Sequence, residues 1–317
     1  MKDICFAAAD MGTNSFHMII ARTGAGGKLK IIDKERKVIR LGSHKGEELS
    51  FISEEETKLA IKTLTKFKRL ADSYGADFRA VATSAVREAK NKSEFISKIQ
   101  EKAGIKVEVI EGKEEAWLIY KGAEKALSVS GKNVLCIDIG GGSTEIINVN
   151  NVKVIFAESI KIGAVRLSKH FFPEYKITSE RINQCRFHIR KLMKERIGEY
   201  TDYKYDLIAG TSGTIEAIAS IILKSRKGKS PATINGLTFN KRELESVSEK
   251  ILSAKTVEER KKIKGMESKR ADIIPPGLLI LNTAFEFFKI DTITVSDYAL
   301  REGVIFDMME KYKLSAL

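Results

Sequence analysis

The sequence predicts an α/β protein of two similar domains, and three features of the 317-residue chain carry that expectation. The first is an apolar run, Val134 to Ile137, that ends in Asp138-Ile139-Gly140-Gly141-Gly142-Ser143-Thr144-Glu145, a buried strand passing into a glycine turn flanked by acids. The second is a copy of it: Ile4 to Ala9 ends in Asp10-Met11-Gly12-Thr13-Asn14-Ser15, with Asp, Gly and Ser at the same offsets. The third is a hairpin beyond each turn. Phe16 to Ala21, a turn at Gly24 to Gly27 and a return at Leu29 to Ile32 parallel Ile146 to Val149, the turn Asn150-Asn151 and the return Val152 to Phe156. Two unrelated junctions sharing three residues would not also share their hairpins. A repeated strand, acidic turn and hairpin implies duplication, with both loops pointing into a cleft between the domains.

The turns suit phosphate. Three successive glycines remove every Cβ, so backbone N–H groups can approach an anion, and Ser143 and Thr144 add hydroxyls beside them. Asp138 and Glu145 alone would repel a phosphate, which points to a hard cation, Mg²⁺, arriving with it.

Composition sets the frame. A chain that is 43% hydrophobic and 31% charged has the balance of a soluble globular protein, and 55 Lys and Arg against 42 Asp and Glu favour a polyanionic partner. Runs that mix both signs, such as Glu258 to Lys262, read instead as solvated helix faces. Cys5, Cys136 and Cys185 lack paired spacing and read as buried free thiols, and His17, His44, His170 and His188 lack metal-ligand spacing. The short apolar N-terminus and the absence of any long apolar stretch lead to the expectation of a cytoplasmic protein with no membrane partner.

In chain order, Ser53 with Glu56 predicts a capping box that opens a helix with Leu59, Ile61, Leu64, Phe67 and Leu70 inside, ending at Gly75. Phe78 to Ala82 predicts a strand that enters a helix at Thr83-Ser84-Ala85-Val86-Arg87, where Arg87 could reach an anion or make a surface salt bridge. Lys106 to Ile110 predicts a strand, and Glu111 to Ala116 leads from it into a helix carrying Trp117 to Leu127. Glu114 and Glu115 there favour the helix dipole, and one of them could also activate a water. This helix is the predicted link between a first domain of residues 1–122 and a second of 123–317.

In the second half, Ser159 to Leu167 predicts a turn into a helix, Ser179 to Arg196 a long basic helix, and Asp206 to Ala209 a strand. Gly210-Thr211-Ser212-Gly213-Thr214 is then a third anion-suited turn before the helix Ile215 to Leu223. Lys224 to Lys229 predicts a basic loop, and Lys269 to Gly277 a fixed turn before a helix over Leu278 to Phe288. Thr292 to Val295 predicts a strand, with Ser296-Asp297 capping a last helix that contains Arg301, Glu302 and Gly303.

The segments Asp10 to Ser15, Ala82 to Ala89, Glu111 to Ala116, Asp138 to Glu145, Gly210 to Thr214, Arg270 to Pro275 and Ser296 to Gly303 together resemble the exopolyphosphatase and guanosine pentaphosphate phosphohydrolase (Ppx/GppA) family, in family order and across nearly the whole chain. The resemblance implies two actin-like domains of the ribonuclease-H-type (ASKHA) superfamily with the active site in the interdomain cleft. It also implies site roles. Glu115 matches the general base, Asp138 and Glu145 act on metal and water with Asp10 as a further metal ligand, and Arg87 neutralises charge on the substrate. Asn14, Ser15, Gly141, Gly142, Ser143, Gly213 and Thr214 would hold phosphate oxygens. The implied metal is Mg²⁺, with Mn²⁺ as the alternative, and family members are often homodimers.

The implied activity is removal of terminal orthophosphate from inorganic polyphosphate. Hydrolysis of guanosine pentaphosphate to the tetraphosphate is the rival within the family, and a nucleotide- or polyphosphate-binding sensor with little turnover is the rival from another class. Nucleic-acid binding ranks last, since the basic surface has no regularly spaced aromatic residues. Two departures stand out. Trp117 replaces an Arg that many relatives carry, and the chain stops where longer relatives add a helical HD-type domain.

Overall fold

The computed structural model describes residues 4–24, 29–42, 51–198, 204–226 and 233–315. Of the sequence expectations, the turn residues Ala25, Gly26 and Gly27, His44, and Lys227 to Lys229 of the basic loop lie outside these. The chain divides into two compact units, Met1–Gly122 with Leu300–Leu317, and Ala123–Ala299.

The first unit is built on β1 (Cys5–Met11), β2 (Ser15–Thr23), β3 (Leu29–Val38), α1 (Glu54–Ser73), β4 (Asp77–Ala82), α2 (Ser84–Glu88), α3 (Lys92–Ala103), β5 (Val107–Val109) and the start of α4 (Gly112–Leu127). Its sheet has the order β3-β2-β1-β4-β5, with antiparallel pairing through β2 and parallel pairing from β1 outward to β5. β1 lies at the centre, and its run Ala7-Ala8-Ala9 is buried on both faces. Above one face, Leu64, Phe67 and Ala71 of α1 join Ala7, Ala9, Met11, Phe16 and Met18 in a single core. α1 starts where predicted: Ser53 accepts from the Glu56 amide while the Glu56 carboxylate accepts from the Ser53 amide.

The second unit repeats the plan with β6 (Asn133–Ile139), β7 (Thr144–Asn150), β8 (Lys153–Ile160), α5 (Ala164–Phe171), α6 (Ser179–Ile197), β9 (Leu207–Thr211), α7 (Ser212–Ser225), β10 (Thr238–Asn240), α8 (Lys241–Ser253), α9 (Val257–Lys261), α10 (Ile274–Phe287) and β11 (Thr292–Val295). Its sheet order is β10-β11-β9-β6-β7-β8. Taken from β8 inward, this is the first sheet again, with β9 and β11 parallel to β6 as β4 and β5 are to β1, and with β10 added at the edge. Two such mixed sheets, each with its helices, make the chain an α/β protein of two similar units, as the repeated sequence motif predicts. α10 is buried at every position from Ile274 to Leu281, as befits a helix enclosed by its unit. Cys136 and Cys185 are buried free thiols; burial pushes the Cys136 thiol far up and the Cys185 thiol up to about 12, so both are inert.

Three expectations need correction. The last helix, α11 (Leu300–Ser315), belongs with the first unit and not with residues 123–299. The reason is packing: a side chain at Gly303 would lie 1.8 Å from the Leu118 carbonyl, so α11 sits tight against α4, and Tyr312 meets Phe6 of β1 edge to face. Pro275 and Pro276 are not a turn before α10 but part of its first turn, where a missing N–H and a fixed φ cost nothing. Ser296 does not cap α11, because its hydroxyl bonds Tyr298 in a local turn and the helix begins four residues later. The helices α3, α8 and α9 and the short strand β10 were not foreseen.

Candidate functional site

Both predicted acidic turns form, and they form alike. In each unit the acid is the penultimate residue of the first strand rather than part of the turn, and its cross-strand partner is seven residues on: Asp138 stands opposite Glu145, and Asp10 opposite His17. A Cβ added at Gly12 would meet the Ser15 carbonyl at 3.2 Å and Asp10 Oδ1 at 3.7 Å; at Gly140 it would meet the Ser143 carbonyl at 3.2 Å and Asp138 Oδ1 at 3.9 Å.

In the second unit the glycine turn is held from behind. The carbonyls of Gly140 and Gly141 accept from the amides of Ala164, Val165 and Arg166 at the start of α5, and the buried Arg166 donates from Nε to the Gly142 carbonyl at 2.7 Å. Gly163 must be glycine here, since a Cβ would lie 2.4 Å from the Gly141 oxygen. With the carbonyls engaged, no backbone bond among the described residues uses the amides of Gly141 and Gly142, which is the arrangement that lets N–H groups gather an anion. Ser143 and Thr144 are buried, and the Thr144 hydroxyl donates to the Ile162 carbonyl, so Thr144 is a structural member of the turn.

Asp138 and Glu145 are both buried, and Ser159 of β8 donates to Glu145 Oε1 at 2.7 Å, which fixes that carboxylate. Two facing carboxylates fit Mg²⁺, which takes one or two carboxylates and completes its shell with water and phosphate. Asp10 belongs to the first unit, and among the described residues no group of three acid, histidine or cysteine side chains forms a metal cluster.

The third turn, between β9 and α7, has Ser212 in the left-handed region at φ 72°, a strained conformation for a side chain other than glycine. Its N-cap Thr211 makes no side-chain cap bond and gives its hydroxyl to the Tyr298 carbonyl, leaving the first amides of α7 uncapped by that residue. Arg270 covers this helix start: a Cβ at Gly213 would lie 1.5 Å from Arg270 Nη2, so the guanidinium rests on the glycine. Glu267 accepts from Arg270 Nε at 2.8 Å and sets its orientation. Thr214 is buried beneath, against Gly277 of α10.

In the first unit, Arg87 donates from Nη1 to Glu115 Oε2 at 2.9 Å and to the Ile110 carbonyl at 2.8 Å, with side-chain exposures of 15% and 7% for the pair. The pair is therefore largely buried, unlike an ordinary surface salt bridge, and it aims the Glu115 carboxylate from the first turn of α4. The Thr13 and Ser84 hydroxyls bond at 3.0 Å, tying the β1–β2 turn to the start of α2. Asn14 and Ser15 are buried in the same turn, and Ser15 Oγ lies 2.7 Å from His17 Nε2.

Sequence reasoning passed over Arg166, Gly163, Arg270 and His17 as site residues. The signals were present as residue types, an Arg three places after a glycine and an Arg before Ala-Asp, but only folding shows which loops they support.

The family model for the Ppx/GppA phosphatase family matches residues 19–312. A guanosine-5'-triphosphate,3'-diphosphate pyrophosphatase of Vibrio campbellii is 32% identical over 309 residues, 97% of this chain and 60% of that protein. Its counterpart in Photobacterium profundum is 33% identical over 310 residues, with the same shares. The chain thus spans about 60% of the length of the curated relatives it matches. Among solved structures, an Aquifex aeolicus Ppx/GppA family member superposes with a TM-score of 0.81 at 28% identity, covering 98% of this chain and 99% of that one. An exopolyphosphatase from Cytophaga hutchinsonii superposes with a TM-score of 0.86 at 27% identity, covering 97% and 98%.

Proposed function

The chain belongs to the Ppx/GppA phosphatase family, and from that premise we propose that it is a phosphoanhydride hydrolase that removes terminal orthophosphate from inorganic polyphosphate. The observation that carries this reading is the buried Glu115, aimed by Arg87 from the first turn of α4, together with the facing carboxylates Asp138 and Glu145 beside an open glycine turn. Water attacks the terminal phosphorus, the new P–O bond forms as the bridging P–O bond breaks, and orthophosphate leaves together with a chain one phosphate shorter. Glu115 takes the proton of the attacking water, and Arg87 keeps its carboxylate in position. The amides of Gly141 and Gly142 and the hydroxyl of Ser143 hold phosphate oxygens, and Arg270 adds charge at the turn containing Gly213. Mg²⁺, held by Asp138 and Glu145, would supply charge neutralisation across the phosphate oxygens.

Guanosine pentaphosphate is the second reading, favoured by the activity for which relatives 32–33% identical over nearly the whole of this chain are named. The bond cut is of the same kind, and the 55 basic against 42 acidic residues favour the longer polyanion. The test is orthophosphate release with Mg²⁺ from polyphosphate and from guanosine pentaphosphate in parallel, with Glu115→Gln as control. Release from polyphosphate that falls by roughly 10²–10⁴-fold in the variant is the expected result. Release from the nucleotide alone would transfer the assignment to the second reading, and release from neither, with the fold intact, would leave a binding module.

A further inference from the structure

Away from the acidic turns, the first unit has a groove of about 550 Å³ between the edge strand β3 and α1. Four cationic side chains that face it from β3 and α1 line it, Lys37, Lys62, Lys66 and Arg69, against a single acid, Glu35. Glu35 is already engaged by Lys66 at 2.8 Å, and no ion pair among the described residues takes Lys37, Lys62 or Arg69. The spacing explains the concentration of charge. Lys62, Lys66 and Arg69 are four and three residues apart and so share one face of α1. Lys37 and Glu35 stand opposite Phe16 and Met18 of β2, whose side chains are in the core beneath α1, so both lie on the α1 side of the sheet. Arg36 alternates to the other side. There it completes the row Asp10, His17, Arg36 that crosses the sheet from the β1–β2 turn to the same edge strand.

We propose that this groove is a secondary binding site for inorganic polyphosphate, holding a part of the chain remote from the bond that is cut. The proposal rests on the reading of the protein as a hydrolase of such chains. The groove offers repeated positive charge and little else. Its aromatic residue, Phe67, is 1% exposed and gives no ring face for a base, which favours a uniform polyanion over single-stranded nucleic acid. Lysines guarding an edge strand and a solvated helix face would have the same composition without a ligand, and kinetics together with calorimetry separate the two.

In the double variant Lys62→Glu/Arg69→Glu, KM for long-chain polyphosphate is expected to rise roughly tenfold or more, with kcat unchanged and with KM for tripolyphosphate and guanosine pentaphosphate unchanged. Lys132→Glu/Lys153→Glu, which alters net charge equally on the second unit, should leave all three KM values in place. Binding is read separately by calorimetry of long-chain polyphosphate with Glu115→Gln protein, with and without the groove substitutions. That arm works even if polyphosphate is not a substrate, so failure of the groove and failure of the proposed activity are distinguishable. An unchanged long-chain KM, an equal rise for the short substrates, an equal loss in the control variant, or equally tight binding of a single-stranded DNA homopolymer would each overturn the proposal. Unchanged melting temperatures confirm that the variants are folded.

Discussion

The β1–β2 turn and the β6–β7 turn have one backbone plan and two chemistries. Across the second sheet, at the level of the acid, run Ser159, Glu145, Asp138 and Thr211; across the first, at the same level, run Arg36, His17, Asp10 and Val81. One row is acids and hydroxyls, suited to a cation and water. The other sets a single acid beside a histidine and an arginine, suited to an anion. Duplication preserved what the backbone needs, the glycine at 12 or 140 and the serine carbonyl that closes on it, and let the side chains diverge. The scaffold and the division of labour are thus separable, and each can be tested alone.

The largest expected effect comes from the matched pair at the second strand. Glu145→Gln is expected to lower kcat for orthophosphate release by roughly 10²–10⁴-fold, with the melting temperature unchanged. His17→Gln keeps a hydrogen-bonding group toward Ser15 and is expected to hold kcat within about tenfold of the parent. Equal losses at both positions would erase the proposed difference between the rows.

A smaller effect tests what supports each turn. Gly163→Ala places a Cβ 2.4 Å from the Gly141 oxygen, on backbone that cannot swing away, and is expected to cost about 1–3 kcal/mol in urea unfolding. Gly12→Ala and Gly140→Ala meet their serine carbonyls at the same 3.2 Å and should cost less than about 1 kcal/mol each, and equally. Unequal costs at the two matched glycines would break the equivalence of the turns, and a tolerated Gly163→Ala would mean that α5 does not brace the second.

These elements also show what could be read beforehand. The duplication was legible because the Asp, Gly and Ser of each turn are local and stand at the same offsets, and so was the α1 capping box, whose partners are three residues apart. The buried Glu115–Arg87 pair was half legible: each residue was singled out, but their contact joins positions 28 apart, and a surface salt bridge is the commoner fate of a lone Arg such as Arg87. Arg166 and Arg270 were illegible as supports of glycine turns, because what they touch is 24 and 57 residues away and nothing in their own neighbourhood announces it. Pro275-Pro276 misled for a different reason, since proline opens a helix as readily as it ends one.

A stability effect of similar size concerns the remaining asymmetry: the first unit is completed by a helix from the far end of the chain. Asp307 of α11 accepts from Arg79 of β4 at 2.7 Å and from Lys311 at 2.8 Å, with Lys121 of α4 at 3.5 Å. Burial alone would raise its carboxyl, but the hydrogen bonds from Lys311 and Arg79 outweigh that and hold it below the ordinary value. A carboxyl depressed in the folded state contributes stability that is present above its unfolded pKa, near 4, and is lost as pH falls through the folded value. Asp307→Asn is therefore expected to lower unfolding stability by about 1 kcal/mol at neutral pH, with the difference from the parent shrinking as pH is taken below about 4. Urea unfolding across that range reads it. A difference that persists undiminished into acid would mean that the carboxylate's charge is not what ties α11 to β4, and that packing of Gly303 on α4 and of Tyr312 on Phe6 suffices.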